Sequence, residues 1–292
     1  MKHVTIVGLG LIGGSLGLAI KEAKGADVEI VGCARREEVG KIAIERGAID
    51  FAEPDIEKAV NQADIAIIAT PIMAIENIFK KMARHLSPDT VVTDVGSTKV
   101  QVLKWAEEHL PDEVSFVGGH PMTGKETAGI EEAEAGLFNG SAYCLIPSTT
   151  ATPEALQTVQ DLVGWIGGNT VFIEPRLHDD LVAGISHLPL VLSSTLVTTL
   201  AASDDWADMA KLAASGYHDS TRLASGDDEI QVNICATNRD FIAKWIDRYI
   251  EHLMKSRDFI VQADDVNLRQ FFHHAREVRE NWLKNEGRRF RK

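Results

Sequence analysis

Two histidines stand at positions in the sequence that suit proton-transfer chemistry. His120 ends the strand-like run 114–119 and is followed by Pro121, which would fix a turn. Histidine titrates near neutral pH, so His120 could accept a proton from an alcohol; the alternative is an imidazole that only holds the turn by hydrogen bonds. His187 is a polar residue within an apolar segment, where a buried imidazole must be hydrogen-bonded. It therefore either faces a cleft or has a structural role.

Three further side chains could bind an anionic or hydroxylated ligand. Arg222 lies in a polar segment and could clamp a carboxylate, although a salt bridge to Asp219 or Asp227 is the alternative. Ser97 and Lys99 follow a strand-like run in a polar turn, where they either contact a ligand or simply start a helix. A basic group, a hydroxyl that orients an alcohol and an arginine clamp together suit an anionic alcohol as substrate.

The element that must position these residues lies at the start of the chain. Val4–Val7 is typical of a central parallel strand, and Gly8, Gly10 and Gly13 follow in the G-x-G-x-x-G spacing. Gly8 permits the tight turn, Gly10 lets a pyrophosphate approach the backbone, and Gly13 lets the next helix pack closely. The alternative is a glycine turn that serves packing alone. The predicted dinucleotide-binding residues are Gly8, Leu9, Gly10, Leu11, Ile12 and Gly13.

The residues after the second strand indicate which nicotinamide cofactor binds. An acidic residue about 20 residues after the glycines normally binds the ribose 2′-hydroxyl of NAD. Ala34 stands there instead, followed by Arg35 and Arg36. The missing carboxylate removes repulsion toward a 2′-phosphate, and two guanidinium groups could bind one. We therefore predict NADP; the alternative is NAD, with two solvated surface arginines.

Strand-like and helix-like segments alternate over residues 1–174. This alternation predicts an α/β domain with a Rossmann-type, doubly wound parallel sheet that binds the dinucleotide. The strand-like run 64–69 ends at Thr70 and Pro71, at the sheet edge that lines the cofactor crevice. We therefore include Thr70 and Pro71 among the cofactor-binding residues.

The character of the sequence changes at Pro175. Helix-period segments continue to the end, which predicts an all-helical second domain at 175–292. Within the long apolar helix expected at 181–200, residues 190–197 are apolar nearly all round and should be buried. A helix so apolar in a domain of this size suggests a core shared between two subunits, hence a homodimer.

The composition limits the class of protein. The 292 residues are 45% hydrophobic and 25% charged, with no evident signal peptide and no apolar run near the roughly 20 residues of a membrane span. The net charge of −13 argues against nucleic-acid and anionic-membrane partners. Cys33, Cys144 and Cys235 are far apart in the sequence, which favours buried free thiols in a reducing, cytoplasmic compartment over a disulfide or a metal site.

Five motifs follow one another along the chain: Gly8–Leu16, Asp94–Lys99, Gly118–Met122, Ile185–Pro189 and Asp219–Arg222. In this order they resemble the prephenate/arogenate (cyclohexadienyl) dehydrogenase family of tyrosine biosynthesis. They span nearly the whole chain, and the pair Gly-Gly-His-Pro-Met and Ser-His-Leu-Pro is the specific part. The resemblance implies a Rossmann domain followed by a helical dimerisation domain, with no additional regulatory domain expected.

The resemblance also implies a reaction, the oxidative decarboxylation of a cyclohexadienol. Hydride would pass from the hydroxyl-bearing ring carbon to the nicotinamide, and loss of carbon dioxide would make the ring aromatic. His120 would take the hydroxyl proton, Ser97 would orient the hydroxyl and the nicotinamide, and Arg222 would bind a substrate carboxylate. His187 would line the same pocket. The pair Arg35 and Arg36 departs from members that use NAD.

The choice between arogenate and prephenate depends on charge near the substrate. Arogenate carries an ammonium group where prephenate carries a ketone, so an acidic side chain would favour arogenate. Glu126, with its neighbour Lys125, follows the His120 motif closely enough to reach the pocket; a surface or helix-start carboxylate is the alternative. We lean toward arogenate activity, alongside prephenate.

Two other classes share parts of this pattern. A β-hydroxyacid or 6-phosphogluconate dehydrogenase would place a catalytic lysine on the first long helix of the second domain, where this chain has His187 and no lysine through Leu200. A nucleotide-sensing regulator would bind the cofactor without turnover, but it would not need His120, Ser97 and Arg222 together.

Overall fold

The computed structural model describes residues 1–125 and 127–286. The chain forms two compact units, Met1–Arg239 and Asp240–Lys292. The first unit contains an eight-stranded sheet with the strand order β3-β2-β1-β4-β5-β6-β7-β8. The strands β1 to β8 are Lys2–Val7, Val28–Cys33, Phe51–Ala52, Ile65–Ile68, Val91–Asp94, Ser115–Pro121, Ala142–Pro147 and Asn169–Phe172.

The first six strands run parallel and confirm the predicted doubly wound sheet. β7 is an exception, because it pairs antiparallel with β6, so the prediction of an entirely parallel sheet was wrong at this edge. A parallel neighbour requires a long crossover, usually a helix. In the described part of the connection from β6 to β7, the helical turns are instead the short 3₁₀ segments Ile130–Glu132 and Ala135–Phe138.

Helices cover both faces of this sheet. One face is buried under α1, α2 and α6, and the other under α3, α4 and α5, which gives two layers of apolar side chains. Strands such as Ile65–Ile68 are buried on both faces, as expected of the central strands of a parallel sheet. The helices α1 to α6 are Leu11–Lys24, Glu37–Glu45, Ile56–Ala59, Ile72–Met82, Val100–His109 and Pro153–Trp165.

Every element after β8 in the described part of the chain is helical, which confirms the predicted change of structure. The helices α7 to α11 are Pro175–Val182, Leu188–Ala201, Trp206–Leu212, Ser215–Thr221 and Asp228–Thr237. The 3₁₀ segment Arg222–Ser225 follows α10, and in the sheet region the 3₁₀ segments Gly25–Asp27 and Ala83–His85 follow α1 and α4. The second compact unit holds most of α12, Arg239–Val261, and α13, Asp265–Asn285.

The helices α7 and α8 are joined by the π-helical segment Ala183–His187 into one continuous helical stretch, Pro175–Ala201. This stretch has 27 residues and is long and apolar enough to cross a membrane by length and composition, contrary to the expectation that no such segment exists. The expected burial of 190–197 was also wrong within one chain, because Leu196 is 37% exposed and Ser193 is the buried residue there. The apolar face of α8 is therefore left partly open.

Candidate active site

The glycine turn between β1 and α1 leaves open space in front of a helix N-terminus. Gly8 has a φ of 101°, and a Cβ there would lie 2.8 Å from Thr70 Cγ2 and would collide with the carbonyl of Ala69. A Cβ on Gly13 would collide with the carbonyl of Gly8, so α1 packs directly on the turn. Gly10 caps α1 without a side chain, and a Cβ on it would meet nothing within 4 Å. This space suits an anion such as a pyrophosphate.

Thr70 and Pro71 lie at the carboxyl end of β4, the strand next to β1. This is the point where the strand order reverses, the usual ligand crevice of such sheets. Within residues 1–125 and 127–286, the buried hydroxyl Oγ1 of Thr70 has no hydrogen-bond partner. A buried hydroxyl without a partner costs free energy, so a ligand group at this edge would satisfy it.

A cavity of about 190 Å³ lies at the carboxyl end of β2. Ala34 and Arg36 line it. Both arginines are exposed, but Arg35 does not line the cavity. The cavity also contains an acidic group, since Glu37 lines it and forms a 2.8 Å ion pair with Lys41. Of the two predicted phosphate-binding arginines, the structure therefore places one at the cavity.

His120 lies at the carboxyl edge of β6 and is partly buried. Its Nδ1 is 2.9 Å from Nε2 of His178, and Nδ1 of His178 is 2.8 Å from Oδ1 of Asp179. His178 and Asp179 lie on α7 and are each 1% exposed. The carboxylate of Asp179 also accepts hydrogen bonds from the backbone N–H groups of Lys99 and Val100, at 2.8 and 2.9 Å. Three donors therefore converge on the carboxylate of Asp179.

This network assigns a tautomer to His120. A carboxylate only accepts, so Nδ1 of His178 carries the proton and its Nε2 is the acceptor in the neutral ring. Nδ1 of His120 must then be the donor, which leaves the lone pair of its Nε2 available as a base. Burial, with nearby His178, Lys99 and His187, holds the pKa of His120 well below its ordinary value. His120 is therefore neutral at pH 7.

His187 ends the π-helical segment and is 1% exposed. Its Nδ1 lies 3.2 Å from the amide Nδ2 of Asn238, which also donates to the carbonyl of Asp179 at 2.8 Å. Burial, partly opposed by Asp179, lowers the pKa of His187 to about 4. The imidazole is therefore neutral, paired through Nδ1, and close to the residues that hold the His120 network. π-Helical segments within helices often occur at functional sites.

Ser97 lies in the turn between β5 and α5 and is partly exposed. The carboxylate of Asp94 at the end of β5 accepts from the N–H of Gly96 at 2.7 Å and from the N–H of Gly119 at 3.1 Å. The next residue after Ser97, Thr98, donates its hydroxyl to that of Thr237 at 2.9 Å. The structure thus ties the Ser97 turn to the strand that carries His120.

Arg222 and Lys125, two further predicted substrate-binding residues, lie in exposed positions. Arg222 begins a 3₁₀ turn held to α8 by a 3.0 Å hydrogen bond between the N–H of Ala224 and Oγ of Ser193. Lys125 forms a 3.0 Å ion pair with Glu134. Glu126 lies outside the described residues. Among residues 1–125 and 127–286, no group of three His, Cys, Asp or Glu side chains is placed to hold a metal ion. Cys33, Cys144 and Cys235 are free thiols.

Sequence reasoning missed three residues of this arrangement, His178, Asp179 and Asn238, and it gave no role to Asp94 within the Asp94–Lys99 motif. His178 and Asp179 are adjacent, and a His-Asp pair on the helix that precedes His187 is a signal that could have been used. Asn238 follows α11 and carries no local pattern that marks it. Only the folded chain brings these residues to the carboxyl edge of β6.

A glycine turn and a neutral imidazole at the carboxyl edge of one doubly wound sheet are typical of dinucleotide-dependent dehydrogenases. Two family models match the chain: prephenate dehydrogenase, nucleotide-binding domain, over residues 16–172, and prephenate dehydrogenase, dimerization domain, over residues 174–274. The chain therefore belongs to the prephenate dehydrogenase family, which confirms the resemblance found in its motifs.

Individual relatives agree with the family match. The chain is 32% identical to the prephenate dehydrogenase of Bacillus subtilis over 279 residues, which is 95% of this chain and 75% of that protein. The crystal structure of Synechocystis arogenate dehydrogenase is similar with a TM-score of 0.82 and 30% identity, covering 96% of this chain and 99% of that one. The prephenate dehydrogenase from A. aeolicus in complex with hydroxyphenyl propionate and NAD+ has a TM-score of 0.90 and 29% identity, covering 96% and 98%.

Proposed function

We propose that this protein is a dehydrogenase of tyrosine biosynthesis that oxidatively decarboxylates arogenate, prephenate or both with a nicotinamide cofactor. The observation that carries the proposal is the neutral His120, whose Nε2 is left as a base at the same sheet edge as the glycine turn. A nicotinamide cofactor held at the glycine turn would supply the acceptor for the hydride on the ring carbon that bears the hydroxyl. The hydroxyl proton goes to Nε2 of His120, the carboxylate leaves as carbon dioxide, and its bonding electrons complete the aromatic ring.

The buried residues behind His120 support this role. When His120 takes the proton it becomes a cation in a site where burial disfavours charge. The carboxylate of Asp179, reached through His178, provides a compensating negative charge. The same two contacts fix the ring orientation, so Nε2 does not need to reorient before the reaction. We assign Ser97 to orienting the substrate hydroxyl and the nicotinamide, and His187 to lining the pocket.

The residues at the sheet edge fit a dinucleotide. The proposed contacts for the pyrophosphate are the backbone N–H groups of Leu11, Ile12 and Gly13 behind the open space at Gly10, with Gly8 and Leu9 forming the turn. The unpartnered hydroxyl of Thr70 and the neighbouring Pro71 border the same crevice. These features support a nicotinamide cofactor and do not distinguish NAD from NADP.

We favour NADP for this chain. No carboxylate stands at Ala34, and Arg36 lines the cavity at the end of β2. A guanidinium can bind a phosphate with two parallel hydrogen bonds, which makes Arg36 the better candidate of the two arginines. Glu37 is the opposing feature, because its charge would repel a 2′-phosphate if its ion pair with Lys41 opened. NAD is therefore the alternative cofactor. Arg35, which does not line the cavity, is the control when Arg36 is substituted.

Substrate recognition is assigned to the helical part of the chain and to the segment after β6. We propose that Arg222 binds a substrate carboxylate, because a guanidinium gives a bidentate, charge-assisted contact. Lys125 could serve the same purpose by exchanging its ion pair with Glu134 for the substrate. Glu126, if it faces the substrate, would favour the ammonium group of arogenate.

We further propose a homodimer formed through α8. The helix Leu188–Ala201 is strongly apolar yet only partly buried within the first compact unit. A cavity of about 560 Å³, lined by residues of α8 and α11 that include Leu190, Val191 and Val232, lies on this open face. Contiguous exposed apolar surface of this kind marks an interaction site. The family's dimerization domain, matched over residues 174–274, supports the same surface.

The functional division of the chain is proposed between residues 174 and 175, with the dinucleotide domain before it and the substrate and dimerisation domain after it. This boundary falls inside the first compact unit, which continues to Arg239. We also place the protein in the cytoplasm, without nucleic-acid or membrane partners, on the net charge of −13 and on a subunit interface that would cover the apolar stretch Pro175–Ala201.

A spectrophotometric assay tests the proposal by crossing two cofactors with two substrates. Purified protein is mixed with NAD or NADP and with prephenate or arogenate, and the absorbance of the reduced nicotinamide is followed. We expect turnover in at least one combination with a higher kcat/KM for NADP, and a higher kcat/KM for arogenate than for prephenate. Turnover with NAD alone would refute the NADP assignment, and no turnover in any combination would refute the proposed activity.

A further inference from the structure

A buried ion pair next to the site has no part in the chemistry described so far. The side chains of Asp94 and Lys99 are 0% exposed and form an ion pair with each other. Burial lowers the pKa of Lys99, and Asp94 opposes that change by stabilising the ammonium form. Replacing a buried ion pair by apolar groups is often neutral or stabilising, so stability alone is a weak reason for such a pair.

The Asp94–Lys99 pair occupies the position beside the end of β6 where a neighbouring strand would otherwise lie. β5 and β6 are paired up to Thr93 and Val117, and β6 then continues beyond the end of β5. One residue before His120, the N–H of Gly119 donates to Oδ1 of Asp94 at 3.1 Å, and its carbonyl accepts from Nζ of Lys99 at 2.7 Å. Both backbone groups of Gly119 are therefore satisfied by the ion pair where a neighbouring strand would normally satisfy them.

The sequence of β6 leaves room for this contact. A Cβ on Gly119 would collide with the carbonyl of Asp94 and lie 3.0 Å from the ring of Tyr143. A Cβ on Gly118 would lie 3.4 Å from Cδ of Lys99. The two glycines thus let the lysine side chain and the end of β5 approach the backbone that leads into His120.

The backbone of Lys99 closes the arrangement into a ring. Its N–H donates to Oδ1 of Asp179 at 2.8 Å, and the same oxygen accepts from His178, which contacts His120. Lys99 therefore holds His120 from two sides, through Gly119 at the backbone and through Asp179 and His178 at the imidazole. Ser97 lies in the turn enclosed by Asp94 and Lys99, so this ring also sets the position of Ser97 relative to His120.

We propose that the Asp94–Lys99 pair is a positioning element that fixes the end of β6, and hence the imidazole of His120, relative to the Ser97 turn. The inference rests on the proposed function, in which His120 accepts a proton. Neither Asp94 nor Lys99 touches the reacting atoms in this account. They act through Gly119 and Asp179.

The charges around His120 give this role a pH signature. Titratable groups near His120 come from three directions: Lys99 and Asp94 beside β5, His178, Asp179 and His187 from the helical stretch, and Tyr143 and Cys144 on β7. The ammonium of Lys99 is one of the charges that lower the pKa of His120. Removing that ammonium raises the pKa of His120, so the acidic limb of the kcat/KM profile moves to higher pH.

The test compares Lys99→Met and the double variant Asp94→Asn/Lys99→Met with Lys21→Met as the matched control. Lys21 forms a 2.7 Å ion pair with Asp50, and this pair also holds strand backbone, at Val28 and Ile30. It lies at the start of β2, away from His120. The double variant leaves no unpaired buried charge, so it keeps the test valid if Lys99→Met does not fold.

For both Lys99 variants we expect kcat to fall by ~10-fold or more, as displaced catalytic groups do, with dinucleotide Kd unchanged. In Lys99→Met, which loses only the ammonium, the acidic limb should also move to higher pH. Lys21→Met should lower Tm and leave kcat and the limb as in the wild type. A wild-type kcat in either folded Lys99 variant, or a wild-type acidic limb in Lys99→Met, would overturn the inference, because a merely structural pair would affect Tm alone.

A second measurement does not depend on turnover. Nuclear magnetic resonance of histidine-labelled protein follows the protonation of His120 directly, with its signal assigned by its loss in His120→Asn. We expect His120 to titrate at higher pH in Lys99→Met than in the wild type, and identical titrations would overturn the inference. If the wild-type protein reduces no cofactor, the proposed function fails and this titration alone decides the role of the pair.

Discussion

Substituting His120 by asparagine separates the basic nitrogen of this side chain from its structural contact. The amide Nδ2 of asparagine can occupy the place of Nδ1 and donate to Nε2 of His178, as the imidazole does over 2.9 Å. Asparagine has no atom in the place of Nε2 and cannot accept a proton at neutral pH. The substitution therefore removes the proposed base and keeps the hydrogen bond that orients it.

The size of the effect follows from the role assigned to Nε2. A general base contributes about 10²–10⁴-fold to kcat, which corresponds to roughly 3–5 kcal/mol of transition-state stabilisation. The proposed cofactor contacts lie at the glycine turn, and His120 is not part of that turn. The Kd for the cofactor should therefore stay within about 2-fold, a change worth only ~0.4 kcal/mol. We expect a large loss of kcat with unchanged cofactor affinity.

The pH dependence supplies a second signature of the same group. The pKa of His120 is held well below its usual value, so the neutral base persists as the pH falls from 7 through 6.5. In the wild type, kcat/KM should therefore stay level over this interval and decline only at lower pH. His120→Asn should lack this decline, because no group at that position is protonated.

The assay follows the absorbance of the reduced nicotinamide at saturating cofactor, with cofactor binding measured separately by calorimetry. His85→Asn is the matched control, since this imidazole is exposed on the surface and pairs only weakly with Glu57 at 3.3 Å. The reasoning is refuted if His120→Asn retains a kcat within a few-fold of the control. A matching loss of cofactor affinity would instead show that His120 positions the cofactor.

Three further predictions concern substrate, cofactor and assembly. Arg222→Ala should raise KM for the substrate by ~10-fold or more with little change in kcat, whereas a normal KM with a lowered Tm would indicate a structural salt bridge. Arg36→Ala should raise the Kd for NADP more than Arg35→Ala does, and adding Ala34→Asp should shift the preference toward NAD; equal effects of the two arginines would remove the cavity from the argument. Sedimentation should show a dimer, and replacing an apolar residue on the open face of 188–201 by aspartate should dissociate it. A wild-type monomer would contradict the proposed interface.

The first half of the fold could be predicted because its signals are local. The strand Lys2–Val7 contains the predicted strand Val4–Val7, and the glycine spacing places the turn correctly after Val7. The antiparallel β7 could not be predicted in this way, because strand direction depends on how the chain crosses the sheet after β6. The burial of α8 was overestimated for a related reason: hydrophobicity shows that a helix must be covered, but not whether the cover comes from its own chain.

The candidate site was only partly accessible from the sequence. The sequence places His120 at the end of a strand and Ser97 in a polar turn after one, and such positions point to the carboxyl edge of a parallel sheet. His178 and Asp179 acquire their meaning only through contact with His120, 58 residues away in sequence. Lys99 was recognised as a ligand contact or a helix-start residue, yet its buried contact with Gly119 depends on β6 extending beyond β5.

The central claim is that hydride transfer and decarboxylation occur together on a cyclohexadienol, and stoichiometry tests it most directly. Wild-type protein is incubated with the preferred cofactor and limiting arogenate or prephenate, and reduced nicotinamide, carbon dioxide and aromatic product are measured in the same sample. The account predicts equal amounts of all three. Reduction of the cofactor without release of carbon dioxide would indicate an ordinary hydroxyacid dehydrogenase, and cofactor binding without any reduction would indicate a nucleotide sensor; either result would contradict the account.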